Sequence, residues 1–139
     1  MKTDINIIIN EESPANLGFD ISTFFKSILK EKAIEMGTFE LNFVSIQSIQ
    51  SIHQHYLSDP SHTDIISFHL GDNPLVADIY ICHQVARENA IEHQFSYDKE
   101  IQLLLIHGLL HCIGYDDLNP IDYERMNAEQ HRLLEKYHV

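Results

Sequence analysis

The chain has few cationic residues and no long apolar segment, and each shortage argues against particular classes of protein. Lysine and arginine number 9 against 21 aspartate and glutamate residues, which gives a formal net charge of −12. That sign argues against a protein that holds nucleic acid by charge alone, because such binding rests on neutralising phosphates. Polar residues interrupt the first ten positions, whereas a signal peptide or a membrane span needs an unbroken apolar run. We therefore expect a cytoplasmic protein with no membrane partner.

Cysteine is scarce as well. Cys82 and Cys112 lie far apart, and neither belongs to a CxxC pair. Since nothing indicates export, we expect two reduced thiols rather than a disulfide. The sequence also lacks internal repeats, low-complexity tracts and linkers rich in proline or glycine. At 139 residues, the chain is predicted to form a single domain over residues 1–139.

The pattern of apolar residues predicts nine elements in the order β-α-β-α-β-β-α-α-α. Strands are predicted at residues 4–9, 39–46, 64–70 and 75–81. Helices are predicted at residues 20–36, 48–57, 84–93, 98–113 and 120–137. Asp20 is the expected N-cap of the first helix, and Gly37 is its expected stop. The order predicts an α+β fold, with a small mixed four-stranded sheet packed against about five helices.

The helix predicted at residues 98–113 carries the most informative pattern. Its segment IQLLLIHGLLHCI is apolar nearly all round, which is typical of a buried helix. His107 and His111 are four residues apart and so share one face of this helix. Gly114 can end the helix in a left-handed conformation and return Asp117 toward the two imidazoles. The three side chains are the candidate ligands of one Zn²⁺ ion, with a fourth position left for water.

The spacing of His107 and His111 indicates a metal site only in combination with the apolar helix that holds them and with Gly114 and Asp117 after it. With 10 histidines in 139 residues, chance alone gives about 0.7 HxxxH pairs. The alternative is that His107 and His111 are core histidines bonded to backbone or carboxylate groups. Asp116 is a candidate general base, and its alternatives are a turn residue or a support for a ligand. Gly108 stands where an HExxH peptidase has its catalytic glutamate, which argues against peptide hydrolysis by that mechanism.

Three segments resemble the YbeY family of rRNA maturation factors, which are bacterial metal-dependent endoribonucleases. The segment HGLLHCIGYDD at residues 107–117 resembles the family signature HGxLHLxGYDH. The segments TDIISF at residues 63–68 and ADIYI at residues 77–81 are similar to two family strands. Glu100, seven residues before His107, also fits the family pattern. The resemblance extends from about residue 40 to about residue 130.

The resemblance implies a single zinc ion and single-strand-specific cleavage of rRNA during assembly of the small ribosomal subunit. An rRNA precursor and the small subunit are then the expected partners, and DNA is not. His107 and His111 match family ligands, while Asp117 stands where the family has a third histidine. Leu57 stands where the family has an arginine thought to support catalysis. Arg87 and Lys99 are the nearest basic residues that could replace it, unless both are solvated surface charges.

Three functions follow from these observations. The first is a zinc-dependent endoribonuclease, in which the metal activates water against a phosphodiester. The second is a non-catalytic, zinc-stabilised assembly factor, which Leu57 and the net charge of −12 favour. The third is a hydrolase of a peptide or small ester, against which Gly108 argues.

Overall fold

The computed structural model describes residues 4–12, 14–57 and 63–138. The elements are β1 (Asp4–Glu11), α1 (Ile21–Glu31), β2 (Met36–Val44), α2 (Ile46–Leu57), β3 (Ile65–Asp72), β4 (Leu75–Cys82), α3 (His83–His93), α4 (Tyr97–Cys112) and α5 (Pro120–Tyr137). The predicted order and the α+β class are confirmed. None of the helices in the described ranges is both long and apolar enough to cross a membrane. The single domain over residues 1–139 stays a prediction.

The four strands form one mixed sheet in the order β1-β2-β4-β3. Strands β1, β2 and β4 run parallel, and β3 pairs antiparallel with β4. One face of the sheet is buried in the main core, where Phe39, Leu41 and Ile79 pack with side chains of α1, α4 and α5. The other face carries a smaller cluster, in which Ile49 of α2 packs with Ile66 of β3. Helices α2 and α4 therefore lie on opposite faces of the sheet.

Helix α4 is the central helix of the fold, in contact with α1, α3, α5, β3 and β4. Ten of its 16 residues are buried, as the apolar pattern predicted. A Cβ atom added at Gly108 would lie 3.0 Å from both Ile65 Cδ1 and Ser67 Oγ. A larger side chain at this position would push α4 away from β3. The position that holds the glutamate in HExxH peptidases therefore faces the sheet here.

Helix α1 shows where the predicted boundaries were wrong. Asp20 is its N-cap and accepts a hydrogen bond from the Thr23 N–H at 2.8 Å, as predicted. The helix ends at Glu31, however, and Ala33 adopts a left-handed φ of 58°. The N–H of Ile34 then bonds the carbonyl of Leu29 at 2.9 Å, which closes the helix end. Gly37 is therefore not the stop but a residue of β2, because the chain has already reversed at an alanine.

The two cysteines are both buried and free, as expected. Burial raises the pKa of the Cys112 thiol to about 11. Cys112 therefore stays protonated, although it follows His111 directly in the sequence.

Candidate metal centre

His107 and His111 project from the same face of α4, as their spacing predicted. Their Nε2 atoms are 3.1 Å apart. Both side chains are half-buried, so the pair is accessible from one side. The helix alone brings these two nitrogen atoms together, because residues four apart lie one turn from each other.

The turn after α4 brings in the third side chain. Gly114 has a φ of 106°, which side chains with a Cβ rarely adopt. Its N–H bonds the His111 carbonyl at 3.3 Å, and the Tyr115 N–H bonds the Leu110 carbonyl at 3.0 Å. This pair of bonds is the Schellman motif, which caps a helix and reverses the chain. As a result, one ligand atom each of His107, His111 and Asp117 lie within 4.8 Å of one another.

A glutamine on α5 orients one of the two imidazoles. The Nδ1 of His107 is hydrogen-bonded to the side-chain oxygen of Gln130. Because an amide oxygen only accepts, Nδ1 carries the proton and Nε2 keeps its lone pair. Gln130 is buried, with 8% of its surface exposed. Sequence reasoning missed it, since a glutamine 23 residues after His107 in a separate helix belongs to no ligand-spacing pattern.

The second imidazole is held in its neutral form. Burial, and after it the neighbouring His107, lower the pKa of His111. The carboxylates of Asp117 and Asp116 and a hydrogen bond to the Tyr115 backbone act in the opposite direction. A neutral imidazole is the form that binds a metal ion.

The donor set fits a divalent metal ion. Two nitrogen ligands at about 2.05 Å from a tetrahedral ion would be about 3.3 Å apart. The observed separation of 3.1 Å between the Nε2 atoms is close to that value. Asp117 is exposed, so its carboxylate can adjust. Two nitrogens and one oxygen leave a coordination position open, as in catalytic rather than structural sites.

A cavity of about 320 Å³ opens beside the two imidazoles. Helix α4 contributes His107 and His111 to its lining, and α2 contributes His53 and Leu57. The remaining wall comes from Thr63 and from the first residues of β3, Ile65, Ile66 and Ser67. Leu57 is 54% exposed, which places it at the rim. None of the described residues that line this cavity is a lysine, arginine, aspartate or glutamate.

Sequence reasoning missed that His53 lines this cavity, because no local pattern connects α2 to α4.

The structure places Asp116 outside this cavity lining. Its Oδ1 accepts a hydrogen bond from the Leu118 N–H at 3.2 Å, which is the geometry of a turn residue. It lines a separate concavity of about 550 Å³ together with Arg125 and Asp122. Asp116 as a general base stays a prediction.

The two basic residues considered as replacements for the family arginine are engaged elsewhere. The Arg87 guanidinium carbon lies 4.6 Å from the centre of the Tyr97 ring. The Lys99 ammonium lies 4.4 Å from the centre of the Phe95 ring. Neither residue lines the cavity beside the histidines.

The molecule is a small α+β protein with a candidate single-metal centre. The centre lies on a buried helix that carries two histidine donors, packed against a mixed four-stranded sheet. The turn after this helix returns a carboxylate to the two histidines. The family described as Endoribonuclease YbeY matches residues 7–138. The chain belongs to the YbeY family.

Individual relatives agree with this assignment. The chain is 35% identical over 128 residues to the Endoribonuclease YbeY of Staphylococcus carnosus, a match that covers 85% of this chain and 82% of the relative. It is 39% identical over 102 residues to the Endoribonuclease YbeY of Thermosipho melanesiensis, covering 70% of this chain and 71% of the relative. The fold is similar to the solution structure of TM1509 from Thermotoga maritima, with a TM-score of 0.66 and 27% identity. That similarity covers 94% of this chain and 88% of the other.

Proposed function

We propose that the protein is an endoribonuclease that cuts rRNA precursors during assembly of the small ribosomal subunit. One Zn²⁺ ion is held by His107, His111 and Asp117. The observation that carries this proposal is the convergence of two imidazoles and a carboxylate within 4.8 Å in a member of the YbeY family. The relatives from Staphylococcus carnosus and Thermosipho melanesiensis are both named endoribonucleases.

The chemistry of the donors supports zinc. Imidazole nitrogens and a carboxylate oxygen suit Zn²⁺, whereas magnesium and calcium prefer sites made of oxygen alone. When bound, the ion supplies a Lewis acid and a water molecule of lowered pKa beside the substrate. The protein contributes the orientation of its ligands, chiefly through the bond from His107 to Gln130.

The cavity indicates how RNA is placed. Its volume of about 320 Å³ is at the lower end for ligand sites and suits one unpaired nucleotide rather than a duplex. This favours a single-stranded substrate. Because the described lining holds no lysine or arginine, attraction for the phosphate depends on the metal ion more than on side-chain cations. RNA affinity should therefore fall on chelation, along with cleavage.

The test compares His107→Ala and His111→Ala with the parent protein. Metal content is measured by elemental analysis, and cleavage is measured on a single-stranded rRNA precursor fragment. We expect one equivalent of metal and cleavage in the parent, and loss of both in each variant. His131→Gln is the matched control, because His131 is an exposed histidine of α5 whose Nδ1 bonds the Asn127 carbonyl. Equal cleavage by metal-loaded and chelated parent protein would overturn the proposal.

A second function, assembly without cleavage, is favoured by one specific observation. Leu57 stands at the rim of the cavity, and none of the described residues that line this cavity is an arginine. A guanidinium that could stabilise the charge of the transition state is therefore missing from this part of the lining. In this alternative, the metal stabilises the fold and the protein guides processing by binding alone. Rescue of ribosome maturation by a His107→Ala protein that still folds would establish it. Failure of that rescue by the folded variant would support catalysis.

A further inference from the structure

We propose that Lys32 positions the candidate metal ligand Asp117, acting through Tyr115 in the turn after α4. The inference rests on the proposed function, because it concerns the metal ion that this function requires. Lys32 is a positioning residue and does not itself bind the ion. It holds the segment of backbone from which the third ligand side chain projects.

The turn after α4 is tied to a residue 83 positions earlier in the chain. Lys32 follows the last residue of α1, and its Nζ donates a hydrogen bond to the Tyr115 hydroxyl at 3.0 Å. The same ammonium lies 5.0 Å from the centre of the Tyr115 ring. The backbone N–H of Tyr115 bonds the Leu110 carbonyl at 3.0 Å. Tyr115 is therefore held both at its backbone and at the far end of its ring.

A carboxylate on α5 fixes the same ammonium. The Nζ of Lys32 lies 2.5 Å from Oε2 of Glu129, and Glu129 also accepts hydrogen bonds from Arg132 at 2.7 and 3.0 Å. The side chains of Lys32 and Glu129 are only 17% and 14% exposed. Hydrogen bonds between charged groups are strengthened where water is largely excluded. This contact therefore contributes more than an ion pair on an open surface.

The ammonium of Lys32 keeps its charge in this setting. Burial acts to lower the pKa of Lys32, but the hydrogen bonds to Glu129 and Tyr115 outweigh it, so the pKa is raised. A charged ammonium has three N–H donors. Lys32 can therefore hold Tyr115 and Glu129 at the same time, which joins the turn to both α1 and α5.

Tyr115 is two residues from Asp117, so the tether acts on the ligand through a short length of backbone. The Asp117 side chain is exposed, and its place beside the imidazoles depends on the backbone that carries it. Asn119 caps α5 and fixes the other end of this segment. A segment fixed at both ends loses less conformational entropy when its carboxylate binds an ion. Removing the Lys32 contact should therefore weaken metal binding without removing a ligand.

The test measures Zn²⁺ affinity by competition with a chelator of known strength. Lys32→Met removes the cation and keeps a side chain of similar length, and we expect the affinity to fall about three- to tenfold. Lys32→Arg restores N–H donors and should lie between Lys32→Met and the parent. Tyr115→Phe removes only the hydroxyl that accepts the bond. It should reproduce part of the loss even if Lys32→Met does not fold.

Lys136→Met is the matched control. Lys136 pairs with Glu31 at 3.0 Å, and its ammonium lies 5.5 Å from the centre of the Tyr137 ring. It therefore makes the same kinds of contact as Lys32, but these contacts join α5 to α1 and do not involve the turn after α4. The Zn²⁺ affinity of Lys136→Met should stay within about twofold of the parent.

A double-mutant cycle separates positioning of Asp117 from a general loosening of the fold. Lys32→Met is combined with Asp117→Ala, and the double variant is compared with Asp117→Ala alone. If Lys32 acts through Asp117, these two affinities should agree within about twofold. A loss from Lys32→Met that is as large in the Asp117→Ala protein as in the parent would overturn the inference. Equal affinities for Lys32→Met and Lys136→Met would overturn it as well.

The same measurements separate this inference from the proposed function. If Lys32→Met weakens Zn²⁺ binding through Asp117 but the metal-loaded parent cuts no RNA, the proposed function is overturned and the positioning role stands. If the parent cuts RNA and Lys32→Met binds Zn²⁺ as tightly as the parent, the positioning role is overturned and the function stands. A parent protein that binds no Zn²⁺ would overturn both.

Discussion

His107 on α4 donates its Nδ1–H to the side-chain oxygen of Gln130 on α5. This bond joins two helices and directs the Nε2 lone pair of His107 toward His111 and Asp117. A hydrogen bond of this kind fixes the orientation of a metal-bound histidine and increases its basicity. Gln130 would therefore orient one ligand of a bound metal ion without contacting the ion itself.

The first prediction is that Gln130→Leu weakens metal affinity by about 10- to 100-fold. Leucine removes the acceptor and leaves the His107 ring free to rotate. Affinity is measured by competition with a chelator of known strength.

Gln130→Glu should retain or strengthen metal affinity, since a carboxylate also accepts the Nδ1–H. Unchanged affinity in a folded Gln130→Leu protein would show that the hydrogen bond is not needed.

The second prediction concerns the third ligand. Asp117→Ala should reduce metal affinity, because two of the three candidate ligands then remain. Asp117→His should retain the metal, because histidine is the residue that the family has at this position and the turn at Gly114 is unchanged. Elemental analysis and chelator competition measure both effects. Full affinity in Asp117→Ala would place the third ligand elsewhere.

The third prediction is that Leu57→Arg raises kcat/KM on single-stranded RNA by about tenfold. Leu57 is 54% exposed at the rim of the cavity, so a longer side chain fits without loss of core packing. A guanidinium there could pair with a phosphate oxygen in two hydrogen bonds.

Leu57→Met is the matched control, because it keeps an apolar side chain of similar size. Its kcat/KM should equal that of the parent. Equal rates for Leu57→Arg and Leu57→Met would mean that a cation at this rim does not reach the substrate.

The fourth prediction is that Ala33→Gly stabilises the fold by about 1 kcal/mol. Ala33 is exposed and adopts a φ of 58°, a conformation that glycine adopts without a steric penalty. Stability is measured by urea denaturation.

The substitution Ala128→Gly is the control, and we expect it to change stability in the opposite direction. Ala128 is an exposed residue of α5, where glycine should cost about 1 kcal/mol of helix stability. If Ala33→Gly destabilised the protein as Ala128→Gly does, the left-handed helix end at Ala33 would be wrong.

The fifth prediction concerns acid stability. Hydrogen bonds from Arg132, followed by Lys32, lower the pKa of Glu129 from 4.5 to about 2. A lowered folded pKa means that the ionised form stabilises the fold. This contribution is complete above pH 4.5 and is lost as the pH falls toward about 2.

Glu129→Gln should therefore be less stable than the parent at neutral pH, and the difference should shrink below pH 4.5. The free energy of unfolding of both proteins is measured across that interval. A difference that does not depend on pH would show that the pKa of Glu129 is not lowered by folding.

Local patterns predicted much of the candidate site before any coordinates. The spacing of His107 and His111 places them on one helical face, and Gly114 marks the reversal that returns Asp117. All three lie within one helix and the turn after it, so helix geometry and a cap motif suffice. Gln130 and His53 could not be predicted in this way, because they lie on other helices and enter the site by packing.

The sequence by itself determined the order of the nine elements, the buried character of α4 and the convergence of the three candidate ligand side chains, because these depend on periodicity and on residues close in the chain. Only the tertiary structure decided the strand order β1-β2-β4-β3, the end of α1 at Glu31 and the placement of α2 beside the cavity. Strand partners and helix docking are set by contacts between distant segments, and Ala33 lacks the glycine signal that marks Gly114. The candidate ligands are thus a local property of the chain, whereas Gln130, which orients one of them, and the residues of α2 that line the adjacent cavity come from the fold.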